Sequence, residues 1–113
     1  RLTVMVQTFA DVERCFLVPP RAFTPRPRVH SAVVRITPRL PPYPIRDRRH
    51  YADVVRVLFS QRRKTVRNGL KSGNGIFGAD RVERMIASLP PGMLALRPEA
   101  LSLRDFAGIA AVV

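Results

Sequence analysis

The chain has 113 residues, the length of one small domain, with 46% apolar residues and a formal charge of +12 from 20 Lys and Arg against 8 Asp and Glu. That apolar fraction argues against wholesale disorder despite the charge, and no run approaches the ~18 uncharged apolar residues of a membrane-spanning helix. The single cysteine, Cys15, excludes an internal disulfide and a cysteine-built zinc site and suits a reducing compartment; between Arg14 and Phe16 it reads as core filler.

Leu2, Met5, Val6 and Phe9 recur at helical spacing, so the chain is expected to open with a helix. Cys15 to Val18 reads as a buried strand stopped by Pro19-Pro20, and VPPRAFTPRPRV as an extended, proline-stiffened connection. The β-branched run VHSAVVRIT, Val29 to Thr37, reads as a second buried strand ending at Pro38. Pro38 to Pro44 is a stiff linker. Tyr51, Val54, Val55, Leu58 and Phe59 then trace one helix face, and QRRKTVRNGLK continues as a basic second helix with Val66 and Leu70 inward. SGNGIFG breaks that helix. Asp80 and Glu83 have capping-box spacing ahead of the stripe Val82, Met85, Ile86 and Leu89, which stops at Pro90-Pro91-Gly92. Ser102 and Asp105 cap a last helix carrying Leu103, Phe106, Ala107 and Ala110.

The expected architecture is therefore an α/β piece, one helix and two strands, followed by about four helices. Two strands apolar on both faces cannot be satisfied alone. They read as the closing strands of a larger sheet, and the chain, which begins at Arg1 rather than Met, as the C-terminal piece of a longer protein. Three units are expected: residues 1–37 with the sheet, 38–47 as linker, and 48–113 as a helical domain.

The charge is localised. Residues 14–67 carry 14 basic residues and only two acids, Asp47 and Asp53, so the whole excess lies there. Lys64 and Lys71 are the only lysines, and arginine's planar fork suits phosphates and base stacking. An Arg-rich block of this kind is the electrostatic footprint of a nucleic-acid binder, although Arg as a solubilising surface is the blander alternative. Arg62, Arg63, Lys64 and Arg67 fall within two expected helical turns, where Arg63 and Arg67 at i, i+4 repel unless an anion neutralises them. Phe23, held between Pro19-Pro20 and Pro25 with Pro27, is either a platform for an unpaired base or a plug beneath its loop. His30 and His50 lie 20 residues apart, and neither a metal site nor an acid–base pair is expected from them. A DNA-reading helix–turn–helix over 48–71 is disfavoured, since Arg and Lys point to backbone contact rather than base readout.

The segments RLTVMVQTF, VPPRAFTPRPRVHSAVVRITP, LFSQRRKTVRNGL and RPEALSLRDFA, in this order, resemble the C-terminal part of the rRNA adenine N6,N6-dimethyltransferases. FTPRPRV followed by SAVVR is shared with the erythromycin-resistance rRNA methyltransferases; FSQRRKTVRN and RPEALSL are more particular to the dimethyltransferases. The resemblance implies a Rossmann-like, S-adenosylmethionine-dependent domain, whose last helix and antiparallel strand pair this chain would supply, followed by a small all-α domain. It implies a cytoplasmic enzyme, monomeric when intact, that dimethylates two adjacent adenines near the 3′ end of small-subunit rRNA during subunit maturation. Its partners would be that rRNA and the pre-small-subunit particle, with no membrane and no metal.

Carried over to this sequence, Phe23 matches the phenylalanine packed against the flipped target adenine, and Pro25 and Pro27 the prolines shaping that wall. Arg62, Arg63 and Lys64 match the start of the basic RNA-contacting helix, with Arg67 beside them. His30 departs from the family, which usually has an acid before Ser-Ala-Val. The glycine-rich cofactor loop, the acidic ribose-binding residue and the Asn-Leu-Pro-Tyr motif do not occur here, so S-adenosylmethionine is expected to bind the missing N-terminal part and the 113 residues alone to be inactive. The alternatives are a large-subunit methyltransferase of the resistance type and a non-catalytic ribosome-assembly module.

Overall fold

In the computed structural model, which describes residues 2–112, the opening apolar stripe closes into helix α1 (Leu2–Phe9). Strand β1 (Ala10–Val18) follows without a loop, and after a short 3-10 turn (Pro20–Ala22) the extended Pro-rich segment returns the chain to strand β2 (Ser31–Pro38). Arg1 and Val113, which bound the outer expected units, lie outside the described residues.

The two strands pair antiparallel from Ala10 opposite Pro38 to Val18 opposite Ser31. Arg14 faces Val34 while Phe16 faces Val33, so Cys15 is the extra residue of a β-bulge. The bulge reverses the alternation along β1. Val12, Arg14 and Leu17 therefore share a face with Ala32, Val34 and Ile36, and Phe16 turns to the other side with Val33.

Both strands were expected to be buried, and here the structure differs. Only Ala10 of the pair is buried; Phe16 is 59% and Leu17 56% exposed, and Cys15 is an exposed free thiol rather than core filler. Two strands have two open faces and two open edges, and no amount of apolar content in the strands themselves can cover those.

Arg39 ties the sheet to α1. Its guanidinium donates to Asp11 Oδ1 (2.8 Å), to the carbonyl of Thr8 (3.1 Å) and to that of Gln7, while its backbone N–H donates to the Phe9 carbonyl (3.0 Å). A cation at the last carbonyls of α1 meets the negative end of the helix dipole.

The helical body begins where Asp47 caps helix α2 (Arg48–Ser60), its carboxylate accepting from the His50 N–H at 3.0 Å. Tyr51, Val54, Val55 and Leu58 are fully buried, as their spacing predicts. Helix α3 (Val66–Ser72), one-turn helix α4 (Asn74–Phe77), helix α5 (Ala79–Ser88), one-turn helix α6 (Pro91–Leu94), a 3-10 turn (Pro98–Ala100) and helix α7 (Leu103–Ala110) complete it. Val66, Leu70, Val82, Met85, Phe106 and Ile109 close the core around α2. Helix α1 leans on the same body: Val4, Met5 and Phe9 pack against it, Thr8 Oγ1 lies 2.7 Å from the Tyr51 hydroxyl, and Phe9 meets Tyr51 edge-on.

Two local expectations fail for identifiable reasons, and a third holds with an addition. The basic stretch does not continue as a helix from Gln61. Helix α2 stops at Ser60, residues 61–64 form a turn, and Thr65 restarts the chain by accepting from the Asn68 N–H (3.3 Å) as N-cap of α3. Arg63 and Arg67 are thus not an i, i+4 helical pair. Asp80 and Glu83 form no capping box, because α5 begins two residues earlier than that box requires, after Gly78 at φ 87°, a conformation that favours glycine. SGNGIFG is not merely a break: it contains α4, and Gly73 sits where an added Cβ would come within 2.7 Å of the Phe77 ring.

The capping box of α7 does form, with Asp105 N–H donating to Ser102 Oγ (3.1 Å) and Ser102 N–H to Asp105 Oδ2 (3.0 Å). Ser102→Ala is expected to lower unfolding free energy by about 1 kcal/mol. Denaturant melts would measure it; a stability equal to the parent would mean that the box does not hold the helix.

Candidate nucleic-acid interface

Arg62, Arg63, Lys64 and Arg67 are all exposed. The turn that carries them is anchored by buried neighbours on both sides, Leu58 before it and Val66 after it, and by Lys64 N–H donating to the Gln61 carbonyl (2.9 Å). Val66 N–H further donates to the Leu96 carbonyl (2.7 Å), fixing the start of α3 to the segment after α6. Among the described residues none of these four cations has an acidic partner; ion pairs occur elsewhere, at Arg35–Glu13, Arg39–Asp11 and Arg56–Asp53. Four unneutralised cations on a rigid support present a positive surface that favours anions and repels other cations.

Beside this turn the packing of α3, α5 and α6 leaves a shallow groove of about 500 Å3, with Thr65 and Arg67 on its rim and Ile86, Leu89, Pro91 and Leu94 among its apolar walls. No motif announces this groove, because its walls come from three separate elements. An apolar floor under a cationic rim fits a flat, apolar-faced group attached to a phosphate.

Phe23 follows the 3-10 turn and is 41% exposed. Pro25 is exposed and Pro27 half-buried, and Arg21, Arg26 and Arg28 are exposed around them. The loop springs from the end of the hairpin remote from the Ala10–Pro38 junction, roughly 25 Å along β1 at ~3.3 Å per residue. His30 is exposed on the Pro-rich loop and His50 is buried in the helical body. Among the described residues no three of His, Cys, Asp and Glu are grouped to hold a metal ion, and no helix is long and apolar enough to cross a membrane.

The sequence profile of the family described as "Ribosomal RNA adenine dimethylase" matches residues 1–90. The chain belongs to that family. A "Probable ribosomal RNA small subunit methyltransferase A" from Methanospirillum hungatei is 50% identical over 109 residues, covering 96% of this chain and 43% of that protein. One of the same description from Halobacterium salinarum is 44% identical over 112 residues, 99% of this chain and 40% of that protein. A "Ribosomal RNA small subunit methyltransferase A" from Xanthomonas oryzae is 58% identical over 73 residues, 64% of this chain and 28% of that protein. The chain thus spans about two-fifths of the length of the first two relatives. Among solved structures, a dimethyladenosine transferase from Plasmodium falciparum superposes with a TM-score of 0.64 at 19% identity, over 96% of this chain and 46% of that one. That likeness shows a shared fold, here an antiparallel strand pair with several helices. The family read from the motifs is borne out.

Proposed function

We propose that this chain is the C-terminal part of an S-adenosylmethionine-dependent rRNA adenine N6,N6-dimethyltransferase that modifies two adjacent adenines near the 3′ end of small-subunit rRNA, and that within it the chain supplies RNA grip and one wall of the target-base site. The observation that carries this reading is the unneutralised turn Arg62, Arg63 and Lys64 with Arg67, anchored on a packed helical body in a member of this family.

In this reading the strand pair completes a Rossmann-like sheet, 38–47 is the linker and 48–113 the rRNA-binding unit. The open apolar faces of β1 and β2 support it, since a larger sheet would cover them. The residues present do not fit S-adenosylmethionine: the stretch from Gly73 to Gly78 folds into α4 rather than into a loop between a strand and a helix, and the cofactor's site is assigned to segments outside this chain. There it would supply the methyl group that the adenine amino nitrogen displaces from sulfur. Phe23, with Pro25 and Pro27 behind it, stacks on the adenine once it has left its own stack. The Arg62–Arg67 cluster holds backbone phosphates and sets where the RNA lies. Small-subunit rRNA and its precursor particle are the proposed partners, in the cytoplasm.

Methyl transfer to small subunits lacking the dimethyladenosines tests this directly, with large-subunit rRNA and the 113-residue chain as controls. The longer protein containing this chain is expected to dimethylate the small-subunit adenines, and the 113 residues alone to bind RNA without transferring methyl. Phe23→Ala in the longer protein is expected to lower turnover about tenfold or more while changing RNA affinity little, since one stacked base is worth ~1–3 kcal/mol. Unaltered turnover would remove Phe23 from the target site. Methylation of large-subunit rRNA instead would transfer the reading to the resistance class, and binding with no transfer by any form would favour an assembly module.

A further inference from the structure

At the other end of α2, about 20 Å from the basic turn at ~1.5 Å per residue, the linker, α2, α5 and α7 enclose a cavity of about 410 Å3. Arg46 and Asp47 come to it from the linker, His50 from α2 and Arg81 from α5; α7 contributes only Ala107, Ala110 and Ala111. His50 is 6% exposed, its ring meets Phe77 edge-on at 5.4 Å, and its Nε2 is buried with no hydrogen-bond partner. Arg81 Nε is likewise buried and unpartnered. Each residue thus keeps one buried nitrogen without a partner, and both residues line the same cavity.

We propose that this cavity is a second anion site, taking a phosphate group between Arg46, Arg81 and His50. It is separate from the Arg62–Arg67 cluster and does not depend on the rRNA reading for its chemistry. Asp47 is the one acid on the wall, and its carboxylate is engaged in capping α2 through the His50 N–H. Asp53, on α2, is paired with Arg56. With His50 neutral the wall carries two cations against one carboxylate, so the field favours an anion. Burial, and then the Arg81 charge, hold the His50 imidazole below its ordinary range, against the opposite pull of Asp47 and Asp53. A phosphate between Arg81 and His50 offsets both of the lowering influences. The added negative charge favours the protonated ring, so His50 takes up a proton as the ligand binds, and binding tightens as pH falls through the histidine range. A free phosphate and a backbone phosphodiester offer the same oxygens, so either can be the source.

The test is an NMR titration of the 113-residue chain following the His50 ring signals, with inorganic phosphate, then a short single-stranded RNA, each against chloride at equal ionic strength. The expected result is a saturable shift of the His50 signals and a rise in its titration midpoint with phosphate. Arg81→Gln is expected to weaken the response about tenfold or more, the effect of one charge-assisted hydrogen bond. Arg46→Gln, at an exposed position, should weaken it several-fold. An RNA that shifts the same signals and competes with phosphate identifies the diester as a source; phosphate alone acting identifies a free phosphate. His50 signals and midpoint unmoved by both probes would overturn the proposal, as would an undiminished response in Arg46→Gln. Combined neutralisation of Arg62, Arg63 and Lys64 should leave the phosphate response intact, so loss of rRNA binding at the basic turn and failure of this site are read separately.

Discussion

Phe106→Ala is expected to lower the unfolding free energy by about 3–5 kcal/mol, the range for truncating a buried aromatic. Phe106 is fully buried and stacks on Phe59 of α2 with ring centroids 5.7 Å apart and planes at 22°, so it packs α7 against the helix that leads into the basic turn. Small domains have only about 5–15 kcal/mol in all, so the loss would be a large share of the total. Leu40→Ala, at a residue 83% exposed, is the control and should change stability by about 0.5 kcal/mol or less. Urea unfolding followed by helical circular dichroism would give both numbers. A loss below about 1 kcal/mol for Phe106→Ala would mean that α7 does not close the core as described. RNA affinity should fall only in proportion to the unfolded fraction, with the salt slope of the folded molecules unchanged, because Phe106 supports the cationic turn without touching RNA.

What the amino-acid order revealed depended on how local the deciding physics was. The α2 stripe of Tyr51, Val54, Val55 and Leu58 was legible because one repeating face suffices to specify a buried helix side. The α7 start was legible because Ser102 and Asp105 satisfy each other three residues apart. Asp80 and Glu83 offered the same spacing and failed, since the chain could enter α5 earlier through Gly78. The break at residues 61–64 was hidden by a run of good helix formers, and Thr65, whose hydroxyl competes for a backbone donor, was the overlooked signal. Ser102 and Thr65 are the same kind of cap; only the first was preceded by prolines that made a restart obvious.

The strands show the complementary failure. Apolar β-branched sequence correctly located β2, but burial belongs to whatever lies across the sheet, and the described residues leave Val12, Leu17, Val34 and Ile36 exposed. For the candidate site, the cationic residues and Phe23 could be named from charge, proline content and family likeness. The groove beside Arg67 and the cavity at His50 could not, since each joins walls from elements far apart in the chain.

Replacing Arg62, Arg63 and Lys64 together by Gln is expected to reduce the slope of log affinity against log salt by about 2 to 3, at 0.7 to 0.9 for each phosphate no longer neutralised. At 0.1 M salt that corresponds to about 100- to 500-fold weaker RNA binding, the lower figure for single strands and the higher for duplex. All three side chains are exposed and none forms an ion pair among the described residues, so their removal should leave the melting temperature of the helical body essentially unchanged. The turn geometry makes a finer claim. On one regular helix, Arg62 and Lys64 would point well apart, and no single RNA strand would meet all three side chains. A turn between two anchored helices relaxes that restriction, so each single substitution should remove a similar part of the slope and the three parts should add. Filter binding or fluorescence anisotropy across a salt series, on single and triple variants, separates the cases. A triple variant with the parent slope would take these residues out of the interface. A slope that falls with only one substitution would mean that the other two cations serve solubility, which is the bland reading of an arginine-rich surface.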